Sequence, residues 1–396
     1  MFKFLLIFST VFCGIAGYSQ KGKPAKPTTT TPTETKVVVR KVPFEQLVNI
    51  NDVYYFNDKP FTGTSIEYFP QDAKTGLKTK MQEIQWKDGL LHGTKTEYFK
   101  GGVLVRAILT FNEGKRNGYF KYYHQNGQLK LCGKYINDLL DSTVNAFYDN
   151  GNPKYTFDYV LGVKTGTSIS YFNNGNVEQR TKLVNELPDG VMETFYEAGN
   201  VRLLTTYKLG VREGKFLRYH LNGTVAEESY FKDGFQDSVS YYWDNAFGSI
   251  LKIENYDMGK KEGIWVTFNE IGDTLTTYTY NDNILDGPYR IYMTEKIDHP
   301  TGVDAKGKKT YESEYIHELE EYGTYKMGKL DGEFKSGLHV RAKHVEGHYS
   351  NGVMVGEWKY FNEEEKMVLY ELYNENGELI KQKPKLQITK QVDEEN

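Results

Sequence analysis

A block of about 24 residues recurs along most of this 396-residue chain, and that periodicity limits the fold more than any other feature. The stretch "METFYEAGNVRLLTTYKLGVREG", residues 192–214, shows the pattern. It reads as a strand, a tight turn at Gly199, a second strand, and a second turn closing on Gly214. Taking the residue that opens each first strand as position 0, the unit starts are Gly63, Gly93, Gly118, Ser142, Gly166, Gly190, Gly214, Ser238, Gly263, Gly287, Gly332 and Gly356. Seven of the eleven intervals are 24 residues and two are 25, with 30 and 45 as the exceptions. A period this regular points to a repeat array in which each unit packs mainly on its neighbours.

The side chains follow the same clock. Position 5 is aromatic in every unit but one, from Tyr68 to Phe361, with Gly337 breaking the series. A second apolar residue, nearly always aromatic, stands seven residues before each following start, from Trp86 to Tyr349. In the long units both aromatics keep their distance from the flanking glycines, so the extra residues fall at the first turn. The largest insertion lies near 294–320. It is charged, and a functional hairpin tip and a disordered bulge are both open readings.

Turn chemistry supports hairpins. "YHQNGQL", "FNNGNV" and "YEAGNV" place Gly at position 9, which suits a type I turn followed by a left-handed glycine. That loop pairs position 5 with position 11, namely Leu104, Leu129, Val177, Val201 and Val225 in the clearest units. Counting by twos then puts positions 5, 11 and 17 on one face as an aromatic and aliphatic ladder. Position 6 falls on the opposite side, and Phe99, Tyr148, Phe172 and Tyr196 are there the candidate binding residues, alternating with His124 and His220. The expected fold is all-β, an elongated twisted array of about twelve stacked 24-residue hairpins. A composition 15% aromatic, with 32 Tyr and 22 Phe, suits half-buried strands.

The unit "Y-[FY]-x-N-G-x-[LV] … Y-x-x-G-x-x-x-G" resembles the MORN repeat variant (membrane occupation and recognition nexus) of bacterial proteins. The resemblance covers residues 53–377 and implies stacked hairpins without catalytic residues. Relatives of this kind include antitoxin-like proteins, a role at odds with export.

Export is expected from the first twenty residues. Lys3 precedes the apolar "FLLIFSTVFCGIAG", too short for a membrane span, and cleavage is placed near Gln20. Bulky Phe12 before Cys13 argues against a lipidation signal, and Cys132 is then the remaining cysteine, so no internal disulfide forms. The domain reading is a signal peptide over 1–20, a Pro/Thr/Lys-rich linker over 21–50, repeats over 51–380 and a polar tail over 381–396. The expected location is periplasmic, outer-surface or secreted.

Chemistry is sparse. No phosphate loop, nucleophile elbow or zinc spacing appears, so no catalytic residue, cofactor or metal site is assigned. A formal charge of −4 without a basic stripe gives no footprint for nucleic acid, and it weakens a membrane-surface reading. His339, His344 and His348 cluster, with His344 and His348 on one face of a strand. An acid precedes many closing residues, as at Asp141, Asp189, Glu213, Asp237, Glu262, Asp286 and Asp331. These acids read as soluble turn residues, because hairpins about 9.5 Å apart are too widely spaced to share a cation. The expected partner is a protein or a cell-envelope polysaccharide.

Overall fold

The computed structural model describes residues 40–303, 308–339 and 343–383; the expected signal peptide over 1–20, the expected linker over 21–39, and the expected tail from 384 on lie outside the described residues. From Gly63–Tyr68 onward each strand pairs antiparallel with the next along the chain, ending at Leu379–Lys383. The helical content among the described residues is one 3-10 turn, Phe44–Gln46.

The tips close as the sequence implies. In the unit starting at Gly190, the Gly199 N–H bonds the Tyr196 carbonyl at 2.8 Å and the Tyr196 N–H bonds the Asn200 carbonyl at 2.8 Å. Gly199 takes φ +99°, which an L side chain rarely adopts. Phe195 pairs with Val201, and Tyr123, Tyr171 and Tyr219 pair with Leu129, Val177 and Val225. Leu104 departs from this set: Tyr98 pairs with Val105 instead. The 25-residue unit carries its extra residue in the tip, and Leu104 is left exposed.

The expectation that positions 5, 11 and 17 share one face is corrected. Phe195 pairs with Val201 but Thr194 pairs with Leu203, so Arg202 is an extra residue in a β-bulge. The bulge shifts the count by one. Positions 2, 4, 13, 15 and 17 form one face, while positions 1, 3, 5, 11 and 14 form the other. Contacts agree: Tyr155 stacks on Phe157 at 4.5 Å (positions 13 and 15), and Tyr241 meets Trp243 at 5.8 Å (positions 3 and 5).

The 2/4/13/15/17 face is the buried one. It holds Phe120, Val144, Tyr289 and Trp358, with Ser65, Thr205, Ser229 and Ser240 wholly enclosed. Large residues sit against small ones: a Cβ on Gly133 would lie 2.9 Å from both Phe120 and Val144. Burying each large side chain contributes about 1.5–3 kcal/mol. Tyr289 donates to Glu321 at 2.9 Å, and burial together with that carboxylate pushes its phenol far above the usual range. From the Gly118 hairpin to the Gly263 hairpin, a cation two residues before every second start caps these rings: Arg116 over Tyr135 at 4.3 Å, Lys164 over Phe157 at 3.8 Å, Arg212 over Phe231 at 5.2 Å and Lys261 over Trp265 at 4.2 Å.

Hairpins are joined at both edges. At the tips, Asn126, Asn150, Asn174 and Asn222 donate side-chain amides to carbonyls of the next tip, at 2.6–3.2 Å. At the return turns, N–H groups of Gly162, Gly210 and Gly234 bond carbonyls of the preceding hairpin at 2.6–3.0 Å. The acids before the closing residues complete this edge. Asp141, Asp189, Glu213, Asp237, Glu262, Asp286 and Asp331 each accept the N–H of the next return turn, at 2.9–3.4 Å.

The linker expected to reach residue 50 ends sooner. Lys41–Pro43 pairs in parallel with the first repeat strand, and Val42 packs with Phe61, Ile84 and Trp86. Val48–Ile50, Val53–Phe56 and Lys59–Pro60 form a separate small sheet, from which Tyr54 and Phe56 cover the same cluster. Apolar residues in "KVPFEQLVNI" close this end of the array, as a terminal cap must. At the other end, Leu379–Lys383 is exposed throughout. The insertion continues as paired strands, Gly287–Val303 and Lys309–Lys326, in register from Met293 with Glu318 to Pro300 with Tyr311, and after a bulge at Thr301 from Gly302 with Thr310 to Val303 with Lys309.

Two outcomes are expected. Gly199→Ala should cost about 1 kcal/mol, because the turn demands positive φ, and this is read as a lower denaturant midpoint. His92 occupies the slot that carboxylates fill elsewhere, and its Nδ1 is buried with no hydrogen-bond partner. His92→Asp supplies an acceptor for the following turn and should raise stability by about 1 kcal/mol; an unchanged or lower midpoint contradicts it.

Candidate functional site

The first three repeat hairpins form a trough on the buried face. Two adjoining cavities of about 700 and 450 Å3 share Glu97, Phe99, Arg106 and Gln125. Phe69, Phe99 and His124 hold the same place, position 6, in consecutive hairpins and supply rings along it. Tyr122, Leu131 and Tyr135 extend the apolar wall, while Lys100 and Lys130 line it with charge.

Local structure explains the arrangement. The bulge that follows each tip turns Arg106 toward the buried face, where it meets Glu97 at 2.6 Å across the strand pair. Lys95 holds the other carboxylate oxygen at 3.0 Å. Burial raises the Glu97 pKa, but the hydrogen bonds from Lys95 and Arg106 outweigh it and hold the carboxyl below its ordinary 4.5. Tyr122 is pushed upward, mainly by burial and then by neighbouring Tyr135 and Glu97. The trough thus joins ring faces to a fixed ion pair, an arrangement suited to holding a ligand.

The four sequence candidates separate. Phe99 lines the trough. Tyr148 and Tyr196 are half-buried, and their hydroxyls donate to the carbonyls of Tyr171 and Tyr219 in the next hairpin, at 2.9 and 2.8 Å. His124 and His220 bond Phe147 and Trp243 carbonyls in the same way, each at 3.0 Å. Phe172 is half-buried. Where it is Tyr or His, position 6 is a staple between hairpins, and in the units of Gly63, Gly93 and Gly118 it lines the trough. Sequence reading missed Glu97, Arg106 and Lys130; an ion pair is read from sequence only if the bulge register is known.

The other constellations resolve into separate contacts. His339 pairs with Glu320. His344 stacks on Phe361 at 4.2 Å, and the His348 carbonyl accepts the Trp358 indole N–H at 3.2 Å. Gly337, which breaks the aromatic series, lies against the backbone of Lys343 and His344, where a side chain would not fit. Cys132 is buried. Among the described residues no three His, Cys, Asp or Glu side chains converge to hold a metal ion.

An expected outcome follows for Glu97. Its folded pKa is depressed, so its stabilisation is full above about pH 4.5 and is lost as pH falls through the lowered value. Glu97→Gln should lower stability by on the order of 1 kcal/mol at pH 7, with the gap to wild type closing in acid. A gap that persists in acid contradicts the assignment.

No curated protein gives a significant match to this chain. Among solved structures, "Crystal Structure of TcdB2-TccC3" is similar over 82% of this chain and 24% of its own, at 10% identity and a TM-score of 0.15. "Crystal Structure of TcdB2-TccC3-Cdc42" is similar over 79% of this chain and 18% of its own, at 10% identity and a TM-score of 0.15. This chain thus spans a quarter or less of the solved chains it matches. The family model of the MORN repeat variant matches residues 116–137, 188–209 and 212–233. Each match covers one hairpin, from two residues before its start to its return turn. Three hairpins of this chain thus carry the variant form of the MORN repeat.

Proposed function

We propose that this chain is a non-catalytic repeat scaffold that acts beyond the inner membrane and holds a protein or cell-envelope polymer in the trough of its first three hairpins. The observation that carries the reading is the row of Phe69, Phe99 and His124 beside the Glu97–Arg106 pair. MORN repeats occur in scaffold and binding proteins, which supports the class. Export rests on the apolar stretch after Lys3. The absence of catalysis rests on the pairwise use of polar side chains within the array.

A peripheral membrane role is the second reading. One observation favours it: Leu139, Val163, Leu187, Val211 and Phe235 recur at one position in successive hairpins along the return-turn edge, each 41–55% exposed. An antitoxin-like role has no supporting contact.

Retention of envelope components by immobilised wild type, compared with the Phe99→Ala/Arg106→Glu variant, tests the proposal. The wild type should retain a component that the variant releases. Equal retention by both overturns the trough, and co-sedimentation with anionic vesicles favours the membrane reading instead.

A further inference from the structure

The spacing of the trough selects among extended ligands, granted the binding role just proposed. Successive hairpins lie two strand separations apart, about 9.5 Å. Phe69, Phe99 and His124 occupy one position in three successive hairpins, so their rings recur with that step. A ligand in β conformation repeats every two residues, about 6.8 Å, and drifts out of phase. A polyproline II chain completes a turn in three residues, about 9.3 Å, and stays in phase over three rings.

The polar groups fit the same ligand. Polyproline II makes no internal hydrogen bonds, so its carbonyls need donors; Gln125, Tyr122 and Tyr135 supply them along the wall. Charge sets the sign: Lys100, Arg106 and Lys130 stand against the single carboxylate of Glu97 among the described lining residues. We infer that the trough binds a proline-rich, acidic polyproline II segment of a partner protein, one ring meeting each turn of the ligand. The chain's own Pro/Thr stretch is a poor match in charge, with four Lys and one Glu over residues 21–36. The ligand is preordered, so little conformational entropy is lost on docking.

Fluorescence anisotropy with the full chain tests this. The probes are a labelled repeating Pro-Pro-Glu peptide, its Pro-Pro-Lys counterpart, and a Gly-Ser-Glu peptide of equal length and charge. The Pro-Pro-Glu peptide should bind at least about tenfold tighter than either other peptide. Phe99→Ala and Arg106→Glu should each weaken it about tenfold, and Tyr311→Ala, on the distant long hairpin, should leave it unchanged. Circular dichroism and denaturant midpoints separate lost binding from lost folding. Should Arg106→Glu unfold the protein, the exposed Lys130→Glu carries the charge test. Equal binding of both Glu peptides, or of neither, overturns the inference, as does tighter binding of a uronic-acid oligosaccharide. If the peptides fail while Phe99-dependent retention of an envelope component persists, the scaffold reading stands and the ligand class falls.

Discussion

Everything in this array depends on the hydrogen bonds that pass from each return turn to the hairpin before it. A two-stranded hairpin is marginal alone in water. Here each return turn from Gly89 to Gly352 gives a backbone N–H backward, and seven turns also receive a carboxylate from the preceding unit. These bonds fix the distance and phase between neighbours. Rings on the buried face can then meet small residues in the facing strand, as Phe120 meets Gly133. The asparagine amides repeat this arrangement at the tips. With both edges held, the middle of each strand is free to vary, which allows one location to be furnished as a trough.

Legibility followed the range of the interactions. The tip of Gly199 and the pairing of Phe195 with Val201 were readable, because a loop of that length and composition closes in few ways. The faces were misassigned because no residue type marks the bulge at Arg202, and one uncounted residue inverts every later side chain. Val42 and Leu47 were read as linker, since their partners Trp86 and Phe61 are distant in sequence. The seven acids were seen as turn residues; their acceptor role needs the following turn in place. Even so, their recurrence at one position was a signal that solubility alone does not explain.

The trough was the least legible part. A repeat consensus averages over units, and the trough is made by residues that depart from it. Position 4 is Glu97 in one hairpin and Tyr122 in the next, and position 6 changes from Phe99 to His124. Function in such an array lies in the exceptions, while the consensus maintains the frame. Phe99 was recoverable because it belongs to both.

The ring-capping cations set how closely like charges approach along the array. Arg116, Lys164, Arg212 and Lys261 fall in alternate hairpins, separated by Leu140, Pro188 and Gln236 at the equivalent sites. Cations two hairpins apart, about 19 Å, lie beyond the screening length of physiological salt, about 8 Å. Neighbouring hairpins would bring them to about 9.5 Å, a repulsion of about 0.4 kcal/mol before screening, felt on a partly desolvated face. Over the hairpins from Gly118 to Gly263 the electrostatic repeat is therefore a pair of hairpins. Removal of the hairpin that starts at Gly190 would set Lys164 and Arg212 in neighbouring hairpins.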